Sequence, residues 1–150
     1  IGAYCLMDNH YHILVKEKIE GGISKFIQKL STGYTMYFNI KYKKRGSLFE
    51  GRFRAKHLDS DQYLRYAFSY THLNPVKMID KNWKENGLKN LNKTQEFLKE
   101  YKFSSYLDYL DENRITSKIL NKEEFPDYFD SKKEIEREMF DWLTFEQPQG

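Results

Sequence analysis

The amino-acid sequence predicts an α+β fold in which a sheet is flanked by helices. Residues 3–16 end in an apolar run that is typical of a buried strand, with a polar interruption inside it. Residues 47–58 alternate apolar and basic side chains from Gly51 onward, and this period of two predicts a second strand. In residues 23–40 the apolar side chains recur at a spacing of three to four, which predicts a helix.

Further helices are predicted along the chain. Asp59 followed by Gln62 resembles a capping box and Pro75 disfavours continuation, so a helix is expected over residues 60–73. Beyond Pro75 the polar sequence predicts a loop or short helical turns over 78–94, a partly helical segment over 95–110, and an acidic amphipathic helix over 132–145 with Ile135, Met139, Trp142 and Leu143 on one face.

Length and composition indicate one domain over residues 1–150. The chain has 39% hydrophobic and 17% aromatic residues, which provide enough apolar surface for a core. Because the sequence begins without Met and enters a strand-like run at once, we expect that its natural N-terminal strand is missing. The single cysteine, Cys5, lies in an apolar run and is expected to be buried, which favours a reducing cytoplasm. No stretch approaches the ~20 apolar residues that span a bilayer.

Positive charge is concentrated in one region. Residues 16–58 contain 11 Lys and Arg against 3 Asp and Glu, a net charge of +8, whereas residues 111–150 contain 6 against 11, a net charge of −5. A basic region is typical of a protein that binds a polyanion, although a solvated surface or a protected edge strand explains such charges equally well. The candidate residues for binding such a polyanion are Lys41, Lys43, Lys44, Arg45, Arg52, Arg54 and Lys56.

Two histidines near the N-terminus are candidate metal ligands. His10 and His12 are two residues apart, so in a strand their side chains project to the same face. Neutral imidazoles bind divalent cations, although packing or surface roles would also account for the pair. Tyr70 and Asn74 are four residues apart on the predicted helix 60–73 and its end, where a hydroxyl nucleophile and an amide oxygen would share one face.

Four segments resemble the signature blocks of one family. The segments CLMDNHYHILV, GSLFEGRFRAKHLD, YTHLNPVK and KFSSYLDYL occur in the order typical of REP-associated tyrosine transposases, which are relatives of the insertion-sequence single-tyrosine HUH transposases. This resemblance covers nearly the whole chain. It implies an antiparallel sheet in a ferredoxin-like HUH endonuclease fold, with an added C-terminal helical segment.

The resemblance also implies an activity. His10, His12 and Asn74 match the ligands of a divalent metal, Mg²⁺ or Mn²⁺, and Tyr70 matches the nucleophile, with Tyr66 one turn earlier as the alternative. The enzyme would nick and rejoin single-stranded DNA through a 5′-phosphotyrosine, on hairpin-bearing repetitive extragenic or insertion-sequence ends. A monomer is favoured over a dimer that donates the tyrosine in trans. His72 is interpreted as structural or as facing DNA.

Departures from the family keep alternatives open. Asp8 stands where the family usually has proline, Tyr11 fills a hydrophobic position, and the N-terminal strand that helps to hold DNA in the family is expected to be missing here. One alternative is a non-catalytic DNA-binding remnant or domesticated regulator. Another is a histidine-triad nucleotide hydrolase, but Leu14 occupies the place where that group needs a further histidine.

Overall fold

A computed structural model of the chain describes residues 1–110, 113–126 and 131–144. It shows an α+β protein whose elements follow one another as β1 (Ala3–Leu6), β2 (Tyr11–Leu14), α1 (Gly22–Tyr42), α2 (Asp61–Leu73), α3 (Val76–Ile79), α4 (Trp83–Asn86), α5 (Leu91–Glu100), α6 (Tyr106–Tyr109), two 3₁₀ turns (Ile115–Ile119 and Lys122–Glu124) and α7 (Lys132–Thr144). The predicted helices over 23–40 and 60–73 and the short turns over 78–94 are confirmed. So is the helix over 132–145, except that Phe145 lies outside the described residues.

The chain divides into two compact units. One, which we call the packed unit, comprises Ile1–Val15 and Asp59–Gly150; the other, the basic segment, is Lys16–Leu58. Within the described part of the chain, no helix is both long and apolar enough to cross a membrane. The prediction of a single domain over residues 1–150 stays a prediction.

The N-terminal segment is a hairpin rather than one strand, which corrects the prediction for residues 3–16. β1 and β2 pair antiparallel, with Cys5 opposite His12 and Leu6 opposite Tyr11. The backbone N–H of Met7 donates to the carbonyl of His10 at 2.8 Å and closes the turn. Asp8 and Asn9, which the sequence pattern suggested were an interruption within a strand, form this turn because short polar side chains favour tight reversals.

The other edge of β1 is covered by the aromatic-serine block. The N–H of Leu6 donates to the carbonyl of Phe103 and the N–H of Ser105 to that of Tyr4, at 2.8 and 2.9 Å. Ser104 forms an isolated bridge with Cys5, which is fully buried as expected. The described residues therefore contain one two-stranded sheet, and the ferredoxin-like arrangement implied by the family resemblance stays a prediction.

Helices enclose the hairpin and a hydrophobic core. α2 contacts both strands, α7 packs on α2, and α5 contacts α3 and α6. The face predicted for α7 is correct, since Ile135, Met139 and Leu143 are buried and Trp142 packs against the core. The other fully packed members of this core are Leu73, Val76, Trp83, Leu98, Tyr106, Leu107 and Leu110. The helix that carries Tyr70 is thereby held on both sides, by the hairpin and by α7.

The basic segment consists of α1 and an irregular stretch. α1 ends at Tyr42, with Lys43 in the left-handed region at φ 51° and its N–H donating to the carbonyls of Asn39 and Ile40. The strand predicted over residues 47–58 is wrong: the structure has no strand there, and residues 50–57 are all exposed. Alternating charge by itself makes no strand where neither face is buried.

Candidate functional site

α2 positions the candidate nucleophile. The helix begins after Ser60, whose hydroxyl accepts a hydrogen bond from the N–H of Tyr63 at 3.3 Å, so Ser60 is the N-cap rather than Asp59 as the capping-box pattern suggested. Its tyrosines stack along one side, with ring centroids 6.2 Å apart for Tyr63 and Tyr66 and 5.8 Å apart for Tyr66 and Tyr70. The ring of Tyr70 is partly exposed and therefore accessible to a substrate.

The hairpin brings the two histidines to this tyrosine. The rings of His10 and His12 lie 5.0 Å apart, and the ring of His12 meets that of Tyr70 edge to face at 5.8 Å. This agrees with the same-face argument from the sequence, even though His10 closes the turn and only His12 belongs to β2. The rings of His10, His12 and Tyr70 are thus neighbours.

The ring nitrogens of these histidines are suited to a cation. His10 Nδ1 lies 2.7 Å from Asn9 Oδ1, and because an amide oxygen only accepts, this contact uses Nδ1 as the donor and leaves Nε2 as the nitrogen available to a metal. His12 Nε2 is buried without a hydrogen-bond partner. Burial, His10 and Lys77, in that order, lower the pKa of His12 below its ordinary value, which keeps the ring neutral as a metal ligand requires.

Asn74 caps α2 one turn after Tyr70. It is 3% exposed, and its amide Nδ2 donates to the carbonyl of Tyr70 at 2.8 Å. The amide oxygen is the atom that would bind a metal, and the meeting of Asn74 with the two histidines stays a prediction. No group of three or more His, Cys, Asp or Glu side chains suited to a metal occurs in the described ranges, so a site here needs the amide.

Two lysines near Tyr70 were missed by the sequence reasoning. The Nζ of Lys84 lies 4.0 Å from the centroid of the Tyr70 ring, and that of Lys77 lies 5.7 Å from it. Lys77 is three residues after Asn74 and could have been suspected from helical spacing. Nothing in the sequence pattern pointed to Lys84, whose position depends on how α4 packs.

His72 belongs to the interior and not to a DNA surface. It is fully buried, with Nε2 2.8 Å from the hydroxyl of Ser105. Ser105 in turn accepts from the N–H of Tyr4 at 2.9 Å and so joins α2 to β1 and the aromatic-serine block. Burial lowers the pKa of His72 to about 3. The structural interpretation of His72 is correct, and the DNA-facing one is wrong because no solvent reaches the ring.

The basic segment carries the candidate DNA-binding residues. Lys41, Lys43, Lys44, Arg45, Arg52, Arg54 and Lys56 are all exposed. The predicted common strand face for Arg52, Arg54 and Lys56 is wrong, because these residues lie in an irregular stretch. These three side chains are exposed but do not share a regularly spaced face.

Aromatic rings accompany these cations within the basic segment. The ring of Tyr34 lies 6.4 Å from those of Phe38 and Phe49, and Phe38 lies 4.6 Å from Tyr42. The Nζ of Lys41 donates to the hydroxyl of Tyr37 at 3.1 Å. Exposed rings beside cations are typical of surfaces that bind unpaired nucleic acid.

Comparison with known protein families matches the N-terminal part of the chain. Residues 1–74 match the family model described as "Transposase IS200 like", and the matched segment ends at Asn74, so it contains His10, His12 and Tyr70 as well. Neither the curated proteins nor the solved structures include a significant match.

Proposed function

Residues 1–74 belong to the IS200-like transposase family, and from this membership we propose that the chain cuts and rejoins single-stranded DNA with Tyr70 as its nucleophile. The observation that carries the proposal is the cluster of rings in the packed unit. His12 lies 5.0 Å from His10 and 5.8 Å from Tyr70 by ring centroids. A phenol beside paired imidazoles combines a nucleophile with two nitrogen ligands for a cation.

We propose that His10, His12 and Asn74 hold a divalent metal, Mg²⁺ or Mn²⁺. The buried Nε2 of His12 supports this proposal, because an unpaired buried nitrogen is costly unless a ligand satisfies it. The amide oxygen of Asn74 supplies the oxygen ligand that harder cations prefer. When bound, such a metal polarises the scissile phosphate and offsets its negative charge.

Tyr70 performs a transesterification. Its hydroxyl oxygen forms a bond to phosphorus while the bond from phosphorus to the 3′-oxygen of the preceding nucleotide breaks. The phenol loses its proton, and the departing 3′-oxygen takes up a proton to become a hydroxyl. The product is a 5′-phosphotyrosine, and because one phosphate ester replaces another, the released 3′-hydroxyl can reverse the step without ATP.

The basic segment binds the DNA backbone in this proposal. Its exposed lysines and arginines contact phosphates, and its exposed aromatic rings stack on unpaired bases. The substrates are hairpin-bearing repetitive extragenic or insertion-sequence ends, and the acting form is a monomer in a ferredoxin-like HUH endonuclease fold. A cytoplasmic location belongs to the same proposal, since the single cysteine is a buried free thiol.

Covalent capture tests the proposed function. A pool of single-stranded oligonucleotides, each with a hairpin flanked by random sequence and a fluorescent group at the 3′ end, is incubated with the chain and Mn²⁺. The 3′ label stays with the fragment that joins the tyrosine, so a fluorescent protein band that survives denaturation reports the adduct. We expect the band with the wild-type chain and its loss in Tyr70→Phe and in EDTA.

The same experiment separates the enzyme from a non-catalytic derivative. Binding of the pool is followed in parallel by fluorescence polarisation. A chain that binds the pool and forms no adduct under any of these conditions is a DNA-binding remnant or regulator, and the nuclease proposal is then wrong. An adduct that persists in Tyr70→Phe assigns the nucleophile elsewhere.

A further inference from the structure

Lys84 is held against the candidate nucleophile by a short element. It lies in α4 next to Trp83, which is buried in the hydrophobic core. The Nζ of Lys84 lies 4.0 Å from the ring centroid of Tyr70 and 5.6 Å from that of Trp83. Because Trp83 is anchored in the core, the backbone of Lys84 is fixed beside it. The rings of Tyr70 and Trp83 then hold the ammonium group of Lys84 by cation–π contact.

A second lysine approaches the same ring. The Nζ of Lys77 lies 5.7 Å from the centroid of Tyr70. Burial, followed by the charge of Lys77, lowers the pKa of Lys84, and Glu85 opposes this shift. In the described part of the chain neither lysine forms an ion pair. Lys77 and Lys84 are two like charges beside one phenol, and Glu85 acts on Lys84 without forming an ion pair with it. The two ammonium groups repel each other, and an anion placed between them relieves the repulsion.

We propose that Lys84 is a phosphate-binding residue that holds the scissile phosphate against Tyr70, with Lys77 as a weaker second contact. The inference rests on the proposed function, because it concerns the step in which Tyr70 attacks phosphorus. Productive attack brings the hydroxyl oxygen to about 3 to 3.5 Å from phosphorus. An ammonium group 4.0 Å from the centre of the attacking ring is close enough to reach the non-bridging oxygens of that phosphate.

The charge of Lys84 acts most strongly during the reaction. Negative charge accumulates on the non-bridging oxygens as the new oxygen–phosphorus bond forms, and a cation already in place stabilises it without reorganisation. Loss of one such donor in other enzymes slows the chemical step by about 100- to 1,000-fold. Because Lys84 is only half-buried, we expect a smaller loss, about 10- to 100-fold.

Matched substitutions test the inference. Lys84→Met keeps the length and packing of the side chain and removes its charge, Lys84→Arg keeps the charge, and Lys81→Met removes a charge from an exposed lysine in the preceding turn. The adduct is formed in single turnover with a saturating concentration of an oligonucleotide recovered from the reactive pool. The dissociation constant of that oligonucleotide is measured with each variant in the Tyr70→Phe background, and thermal unfolding is recorded for all variants.

The expected result separates the chemical step from binding. Lys84→Met lowers the rate of adduct formation about 10- to 100-fold and changes the dissociation constant less than about threefold, Lys84→Arg recovers part of the rate, and Lys81→Met stays within about twofold of wild type. If Lys84→Met unfolds, Lys84→Gln replaces it with the same readouts.

Three results overturn the inference. Equal rates in Lys84→Met and Lys81→Met, or a Lys84→Arg variant as slow as Lys84→Met, each exclude a phosphate contact through charge. A loss confined to the dissociation constant excludes the proposed role of Lys84 in the attack by Tyr70. If wild type itself forms no adduct, the proposed function falls and this inference with it. If wild type reacts normally and Lys84→Met reacts equally well, only this inference falls.

Discussion

The packed unit and the basic segment differ in how they use their apolar side chains. In the packed unit Val76, Leu98 and Met139 are buried to 2% exposure or less. In the basic segment only Ile27 of α1 is buried, while Tyr37 and Ile40 are 55% and 78% exposed. The packed unit thus has a core that fixes side chains in place, whereas the helix of the basic segment presents most of its apolar residues at its surface.

This difference matches the demands of the two tasks that we propose. Attack on phosphorus requires reacting groups held within a fraction of an ångström, and His12 and Tyr70 lie on elements that pack on each other. Contact with DNA phosphates tolerates mobile cations, because it depends on charge more than on exact geometry. Mutations in the packed unit should therefore affect stability and chemistry, and mutations in the basic segment should affect affinity.

The largest effect expected is the dependence of stability on pH through His72. Burial lowers the pKa of this histidine from 6.5 to about 3 in the folded chain. In this pH range His72 binds a proton in the unfolded chain but not in the folded chain. The free energy of unfolding therefore decreases as the pH falls below 6.5 toward 3. The full loss is about 5 kcal/mol at ~1.4 kcal/mol per pKa unit.

Urea unfolding at a series of pH values measures this effect. His72→Gln keeps a hydrogen-bonding group near Ser105 but cannot be protonated, so its stability should fall less steeply than that of wild type between pH 6 and pH 4, by up to one proton per molecule. Parallel curves for the two chains would show that His72 does not titrate in this way, and the assignment of a neutral interior histidine would be wrong.

The second prediction compares one apolar truncation in each unit. Met139 is 2% exposed in the core, so Met139→Ala should lower the free energy of unfolding by about 2 to 5 kcal/mol. Ile40 is 78% exposed, so Ile40→Ala should change the free energy of unfolding by no more than about 0.5 kcal/mol. Denaturant titration of both variants decides the matter. A large cost for Ile40→Ala would mean that α1 is covered in solution.

Much of this contrast could be predicted from the sequence. The three-to-four spacing in α1 and α7 and the proline after α2 indicated these helices, because helix periodicity and breakers are local signals. The hairpin was missed because Asp8 and Asn9 were interpreted as an interruption. The strand predicted over residues 47–58 was wrong. Alternating side chains form a strand only where one face is buried, and residues 50–57 are all exposed.

The candidate site was predictable to a different extent for each residue. The spacing of His10 and His12 gave their common face, and the family resemblance gave Tyr70 as the nucleophile. The contact between His12 and Tyr70 depends on the packing of β2 against α2, which the sequence does not state. The position of Lys84 could not be predicted, because its contact with the Tyr70 ring depends on the burial of its neighbour Trp83.

The third prediction concerns the exposed cations. Replacement of Lys44, Arg52 and Arg54 by Gln should weaken binding of the oligonucleotide pool and reduce the slope of log affinity against log salt by about 2, at ~0.7 per lost contact to single-stranded phosphate. The stability of the chain should not change, because all three side chains are exposed. Fluorescence polarisation from low to moderate salt provides the measurement.

Exposed lysines of the packed unit are the matched control. A variant with Lys93, Lys102 and Lys118 changed to Gln loses the same charge from exposed positions. Its salt dependence should remain close to that of wild type. Equal loss in both triple variants would show that binding responds to net charge alone and that the basic segment has no special part in it.

The smallest effect is expected at Tyr66, one turn before Tyr70 on the same helix. Its ring stacks on Tyr70 at 5.8 Å and meets Trp142 of α7 edge to face at 5.1 Å. Burial, and then the proximity of Tyr70, raise the pKa of Tyr66, which makes its phenolate harder to form. Because Phe preserves the stacking, Tyr66→Phe should form the covalent adduct at a rate within about twofold of wild type. If the adduct instead vanishes in Tyr66→Phe and survives in Tyr70→Phe, the nucleophile is Tyr66. The contacts of the Tyr70 ring with His12 and with the ammonium group of Lys84 then have no part in the attack.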